Sequence, residues 1–257
     1  MRGIALVFCG LIAISGVAQN RILQTEELTL TSTNEGFSGF ISSIQSKKSR
    51  DLKLVRSIFT KAHQDFLKTY RAYSQVKDIF EKGNYDCLSG TYFLTRAFDQ
   101  LGIEYKIFET NYHIFLVVQT QRGEVLLEST DRVNGFITDK ETIKEKIAYY
   151  QQAKASSPGT ELYLSRLRMF HELRPDQLPG LLYFNRSIEA FHANDLVASC
   201  SNLEKAWEIY NNPRIEAFTP ILIHTIANST LDSDAKAKLT DLLQTHQQSA
   251  SYSLVSR

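Results

Sequence analysis

Leu52, Val55, Phe59, Ala62, Phe66, Tyr70 and Tyr73 recur at three- and four-residue steps, which brings their side chains onto one face of a helix. That spacing predicts a long helix starting near Asp51, capped by Ser49 or Asp51. Gly83 and Asn84 close the helical stretch after it. A further helix is expected over 87–100, with Asp86 as N-cap, Gly102 just past its end and a buried stripe of Cys87, Thr91, Leu94, Phe98 and Leu101. The period then shortens. Residues 104–109 and 113–120 read as strands, and Arg122-Gly123 marks a hairpin turn into a third strand over 125–130. A polar helix follows over 141–153. The fold class expected is α+β, a helix packed on a small antiparallel sheet.

Two stretches break this pattern. Residues 19–50 are rich in Ser, Thr and Gln with only Phe37, Phe40 and Ile41 as strong apolar anchors, so an extended lead-in is expected and order begins near Asp51. Ala155-Ser156-Ser157-Pro158-Gly159 is the strongest linker signal, dividing the chain into a domain over 51–155 and an all-α region over 160–257. Within that all-α region a helix runs from Leu181 through Phe191, Asn194-Asp195-Leu196 makes a turn, and 203–210 returns before Asn211-Asn212-Pro213. The pair resembles one tetratricopeptide unit, with Ala206 at a small-residue packing position and Trp207 on the packing face. One such pair cannot bury its own apolar face, so it must lean on neighbouring helices or on the first domain.

Charge removes some classes of partner. The 257 residues carry 29 basic and 28 acidic side chains with no long single-sign run, which gives no electrostatic case for nucleic acid or a charged membrane surface. The 43% hydrophobic content supports a sizeable core. Arg2, the apolar run from Ile4 to Ile14 and Gly16-Val17-Ala18 read as a cleavable secretory signal over 1–18. Cleavage takes Arg2 with it and leaves 28 basic against 28 acidic residues. The mature chain is then expected to be secreted or periplasmic, with no integral membrane segment.

Of the three cysteines, Cys87 and Cys200 lie beyond that signal, and an exported context would permit a disulfide between them. Cys87 has a sharper alternative. A thiol in the first turn of a helix meets the positive end of the macrodipole and free backbone N–H groups, both of which favour thiolate. His113 opens a strand whose alternation sets it beside Phe115 and Val117, on the face expected to look toward the nucleophile helix, and two acids follow. Hairpin parity decides which acid meets the imidazole. An even loop at Arg122-Gly123 puts Glu128 on the His113 face, whereas an odd loop with Gly123 in a bulge sets Asp131 opposite His113. The same residues also admit plainer roles: Cys87 as a small core residue, His113 as a structural strand histidine, and Glu128 and Asp131 as strand-end or turn acids. His171-Glu172 lacks a second histidine at ligand spacing and no other histidine supplies one, so neither a metal nor a cofactor is expected. Asn185-Arg186-Ser187 and Asn228-Ser229-Thr230 fit the glycosylation acceptor pattern without further support.

Tyr85-Asp86-Cys87-Leu88-Ser89-Gly90, His113-Ile114-Phe115-Leu116-Val117 and Leu127-Glu128-Ser129-Thr130 together resemble the transglutaminase-like branch of the papain-type cysteine enzymes. A domain of this kind followed by tetratricopeptide-like helices is similar to the SirB-type bacterial proteins, which share a Cys-Leu-Ser element. The resemblance spans roughly residues 50–215. It implies Cys87 as nucleophile, His113 as base and Glu128 as third member of a triad acting on an amide or acyl bond of a protein or peptide. Two departures from the family pattern are Glu in place of the usual Asp, and Glu81 at the place of an oxyanion-binding Gln. An inactive fold serving as a protein- or peptide-binding module, its partner on the C-terminal helices, is the competing expectation.

Overall fold

Ile114-Phe115-Leu116-Val117-Val118 is an unbroken run of aliphatic and aromatic residues, and all five are buried. A strand apolar on both sides must be covered on both faces, and that requirement organises the molecule. The computed structural model describes residues 35–45, 52–111, 113–152 and 169–255. The proposed signal and the 155–159 linker lie outside the described residues, as do the caps at Ser49 and Asp51.

In chain order the elements are α1 (Glu35–Gln45), α2 (Leu52–Asp65), β1 (Thr69–Tyr70), α3 (Val76–Lys82), β2 (Asn84–Tyr85), α4 (Cys87–Leu101), β3 (Tyr105–Thr110), β4 (Ile114–Thr120), β5 (Gly123–Leu127), β6 (Phe136–Ile137), α5 (Lys140–Gln152), β7 (Phe170–Leu173), a 3₁₀ turn (Pro175–Gln177), α6 (Leu178–His192), α7 (Leu196–Ile209), α8 (Pro213–Ala227) and α9 (Ser233–Val255). Mixed helix and sheet agrees with the α+β expectation. Five strands form one antiparallel sheet in the order β6-β5-β4-β3-β7, and β1 and β2 make a separate parallel pair.

The two faces of β4 serve different layers. Ile114, Leu116 and Val118 join Leu88, Phe93, Leu94 and Phe98 of α4 in the main core, together with α1 and α2. Phe115 and Val117 face the other way, onto Leu126, Ile137 and Ile143 of α5. The His113-Phe115-Val117 face therefore looks away from α4, contrary to expectation. With both sides of the strand apolar, alternation carries no information about which side the helix covers.

Three other expectations are corrected. Residues 35–45 are a helix, not an extended lead-in: Phe37, Phe40, Ile41 and Ile44 are buried, and Phe37 packs edge-on against Phe93 at 5.2 Å. These anchors fall at helical spacing, and the Gly and Ser residues between them mask it. Helix α2 stops at Asp65, so Tyr70 and Tyr73 leave its face. Phe66 and Leu67 turn the chain into β1, held by Lys68 and Thr69 N–H groups donating to the Gly83 carbonyl; Gly83 sits at φ 70, the left-handed C-cap of α3. Finally, the region past residue 160 is not all helix. Strand β7 completes the sheet beside β3, and Leu178, Leu181 and Leu182 of α6 enter the main core. The structural seam thus lies later than the composition suggests.

Beyond that seam α6 and α7 pack as an antiparallel pair across a turn at Asn194-Asp195, where Asn194 adopts φ 58. Ser187 Oγ donates to the Ser199 carbonyl at 2.8 Å, and Ser199 Oγ donates back to the Ser187 carbonyl at 2.9 Å. Trp207 is in the second apolar cluster, with Leu203, Ala206 and Phe218. No described helix is long and apolar enough to cross a membrane.

Candidate active site

Cys87 is the first residue of α4, and the cap before it is fully specified. Asp86 Oδ1 accepts from Ser89 N–H and from Ser89 Oγ, each at 2.7 Å, while Asp86 N–H donates to Ser89 Oγ at 2.9 Å. Leu88 N–H also faces the Asp86 carboxylate, and Gly90 N–H donates to the Asp86 carbonyl. Among the described hydrogen bonds the Cys87 N–H has no acceptor, so it is the amide of that first turn available to a ligand. Cys87 and Cys200 are both free thiols, so the disulfide alternative is not realised. Cys200 is fully buried and its thiol is pushed up to about 12, chiefly by burial.

Helix α4 reaches the sheet through a close approach that only a small residue permits. A Cβ on Gly90 would lie 3.0 Å from Tyr85 Cδ2 and 3.1 Å from Ser129 Cβ. Ser129, just past the end of β5, donates from Oγ to the Cys87 carbonyl at 3.1 Å. The Cys87 backbone is thus tied to the residue that follows Glu128.

The hairpin between β4 and β5 pairs Thr120 with Gly123 and Leu116 with Leu127. Its loop is the two residues Gln121-Arg122, an even loop one position earlier than expected and of the same parity. That register puts Glu128 on the His113 side. His113 precedes β4 in a tight turn, where its N–H donates to Thr110 Oγ1 at 3.0 Å and its carbonyl accepts from Thr110 N–H at 2.8 Å. His113 Nε2 is hydrogen-bonded to Glu128 Oε2. The other ring nitrogen, Nδ1, is not engaged by Glu128, and the Cys87 side chain is near enough to help raise the imidazole pKa. Cys87, His113 and Glu128 are therefore brought together in that order.

Asp131 is not among them. Its Oδ1 accepts from Val133 N–H at 3.1 Å and Asn134 N–H at 2.7 Å, and its carbonyl accepts from Gly135 N–H at 2.8 Å. This is the acid of a turn, as Asp side chains commonly are, and the even hairpin removes the register that would have brought it to His113.

No protein-family model, curated protein or solved structure matches this chain. The chemistry of the site is accordingly read from its own groups.

Burial by itself would lower the His113 pKa. The hydrogen bonds to Cys87 and Glu128 and their charges outweigh it and raise the imidazole to about 9. Glu128 is 3% exposed, and burial alone would raise its carboxyl. The His113 hydrogen bond and charge, then Tyr150 and Lys146, hold it below the ordinary carboxylate range instead. Imidazolium and carboxylate are each the preferred form of the other's partner.

Two contributors on α5 went unrecognised in a helix read as merely polar. Tyr150 donates from its hydroxyl to Glu128 Oε1 at 2.6 Å, and its ring lies 5.5 Å from His113 and 5.0 Å from Phe115. Lys146 Nζ is 3.8 Å from Glu128 Oε1. The signal that could have found them is the helical spacing of Ile143, Ile147 and Tyr150, which marks the face turned to the sheet. Glu81, expected from the family resemblance to stand in place of a glutamine, is exposed on α3. A carboxylate there donates no hydrogen bond.

A second polar cluster lies apart from this site. Glu109, fully buried on β3, accepts from Tyr210 at 3.0 Å and from Asn212 at 2.9 and 3.0 Å, pairs with Arg214, and lies 3.2 Å from His171 Nε2. Burial would raise its carboxyl, but the Arg214 charge and then these hydrogen bonds hold it low. The cluster joins the sheet to the end of α7 and the start of α8. Among the described residues no group of three or more His, Cys, Asp and Glu side chains is close enough to hold a metal ion.

Proposed function

We propose that this chain is an exported cysteine enzyme of the transglutaminase-like, papain-type kind, similar to the SirB-type proteins, which cleaves or transfers an amide or acyl group of a protein or peptide. The observation that carries this reading is the meeting of three side chains at one end of the sheet: His113 bonds Glu128 through Nε2 and feels the Cys87 side chain at the start of α4. In the reaction, the Cys87 sulfur, having given its proton to His113, forms the S–C bond to the substrate carbonyl. The oxyanion is met by the Cys87 N–H at the positive end of α4. His113 returns the proton to the departing amine as the C–N bond breaks, leaving a thioester. Water or an acceptor amine, deprotonated by His113, then attacks the thioester carbonyl and releases the thiol. Glu128 keeps the ring oriented and stabilises its protonated form, with Tyr150 and Lys146 supporting the carboxylate.

The deciding experiment is the alkylation rate of Cys87 by iodoacetamide from pH 5 to 9, followed by peptide mass spectrometry and paired with peptide-amide turnover of the wild type and Cys87→Ala. Expected is alkylation of Cys87 at pH 7 many-fold faster than that of a free cysteine, and turnover that Cys87→Ala abolishes. An ordinary thiol profile with no turnover difference defeats this reading. The binding-module alternative then stands, favoured by the exposed Glu81 and by the helical unit packed on the domain.

A further inference from the structure

Asp86 is the N-cap of the nucleophile helix and is only 3% exposed. One of its oxygens serves Ser89. The other, Oδ2, accepts from Asn185 Nδ2 at 3.1 Å, and Asn185 belongs to α6, ninety-nine positions along the chain. The contact is not isolated. Asn185, Glu189 and His192 are spaced as neighbours on one helix face. Glu189 Oε2 accepts from Gln75 Nε2 at 3.4 Å, and the His192 ring lies 5.7 Å from Tyr73. One face of α6 therefore runs along the segment that leads through β1 and α3 into Cys87.

Resting on the enzyme reading above, we propose that Asn185 is a positioning residue for Cys87, so that the first helix of the C-terminal unit completes the setting of the nucleophile. A buried carboxylate needs its acceptor sites filled. Leu88 and Ser89 fill them from the helix itself, and Asn185 fills the outward side. Burial raises the Asp86 carboxyl above its ordinary range, while the donors from Ser89, Leu88 and Asn185 oppose that rise. The titratable groups facing Asp86 are Tyr70 and Tyr73, on the segment before α3. Loss of the Asn185 donor frees Asp86 to turn or to take a proton, and the first turn of α4, with the Cys87 thiol and N–H, loses its fixed aim at His113. This role also explains why the Asn185-Arg186-Ser187 triplet is unsuited to carry a glycan: its amide is spent on Asp86.

The test uses the full chain and the Cys87 alkylation profile, which does not depend on knowing a substrate. Asn185→Leu is expected to slow alkylation at pH 7 by about tenfold, the scale of a small misplacement of a reacting group. Asn185→Asp, the same shape, puts two carboxylates against each other, so one proton is shared at a raised pKa; the alkylation profile gains an acid-side step absent from the wild type. The exchange Asp86→Asn with Asn185→Asp restores one amide against one carboxylate and is expected to return the wild-type profile, since Asn caps a helix as well as Asp does. If the variants lower the melting temperature but alkylate with the wild-type rate and profile, Asn185 only holds the unit in place and the inference is overturned. A wild-type profile of an ordinary thiol sinks the enzyme reading instead; the coupling of position 185 to the sulfur is still read from the same three variants.

Discussion

Glu128→Gln is the substitution that most directly interrogates the site, because it keeps the shape and removes the charge. In the native arrangement both oxygens face donors: His113 Nε2–H on Oε2 and the Tyr150 hydroxyl on Oε1. A glutamine has one acceptor and one donor, so one of the two meets an amide N–H₂ and a buried donor is stranded, at a cost of about 1–3 kcal/mol. The charge adds to this. His113 stands at about 9 against an ordinary 6.5, and at 1.36 kcal/mol per pH unit that preference for imidazolium is on the order of 3 kcal/mol, shared between Glu128 and Cys87. The sign follows from linkage. A raised His113 pKa stabilises the fold fully below about 6.5, and that contribution is lost as pH rises through about 9. The depressed Glu128 carboxyl contributes above its ordinary 4.5 and fades as pH falls. The pair is therefore worth most between these limits. Chemical denaturation from pH 4 to 10, with the His113 ring protons followed by NMR, is expected to find the wild type more stable than Glu128→Gln by a few kcal/mol near pH 6. The gap should narrow toward pH 10, with the variant imidazole titrating below the wild type's value of about 9, since Cys87 alone then opposes burial. An imidazole still near 9 in the variant, with one stability difference at all pH values, refutes the reasoning.

Three further substitutions have definite outcomes. Gly90→Ala drives a Cβ into Tyr85 and Ser129, and is expected to cost about 1–3 kcal/mol in a urea melt while slowing Cys87 alkylation, since α4 must back away from the end of β5. Arg214→Met leaves Glu109 buried without its cation; the expected loss is about 3–5 kcal/mol at pH 7. That loss shrinks in acid, because a carboxyl held low contributes above its ordinary pKa and ceases to as pH falls through its native value. Tyr150→Phe removes one hydrogen bond to Glu128 but keeps the ring over His113 and Phe115, so denaturation should register only about 0.5–1.5 kcal/mol.

Local chemistry was legible wherever a residue type does one thing. Asp86 before a helix and Gly102 after it are found where cap preferences put them, and the strand-turn-strand run from 105 to 127 follows from β-branched residues broken by Gln121-Arg122-Gly123. The three residues of the candidate site were legible too, because each sits at the end of an element: Cys87 on the first turn of α4, His113 just before β4, Glu128 just after β5. Element ends are marked by caps and turns, which sequence displays. What sequence does not display is which layer covers which face. On β4 both faces are apolar, so the side occupied by α4 was read wrongly although the residues meeting at the strand end were not. The same blindness explains α1. Phe37, Phe40, Ile41 and Ile44 form a helix because α4 offers them Phe93 to pack on, a tertiary reason invisible in a Ser- and Gly-rich stretch. It explains Asn185 as well, which reads as a glycosylation triplet until α6 is laid beside Asp86. Parity was the single long-range question reducible to a local one: an even hairpin loop assigns Glu128, an odd one Asp131, and the pairing of Thr120 with Gly123 decides between them. A one-residue slip in that pairing would therefore exchange the two acids, putting a turn aspartate before the imidazole and turning Glu128 to the opposite face beside Leu116, where an unpaired carboxylate is too costly to keep.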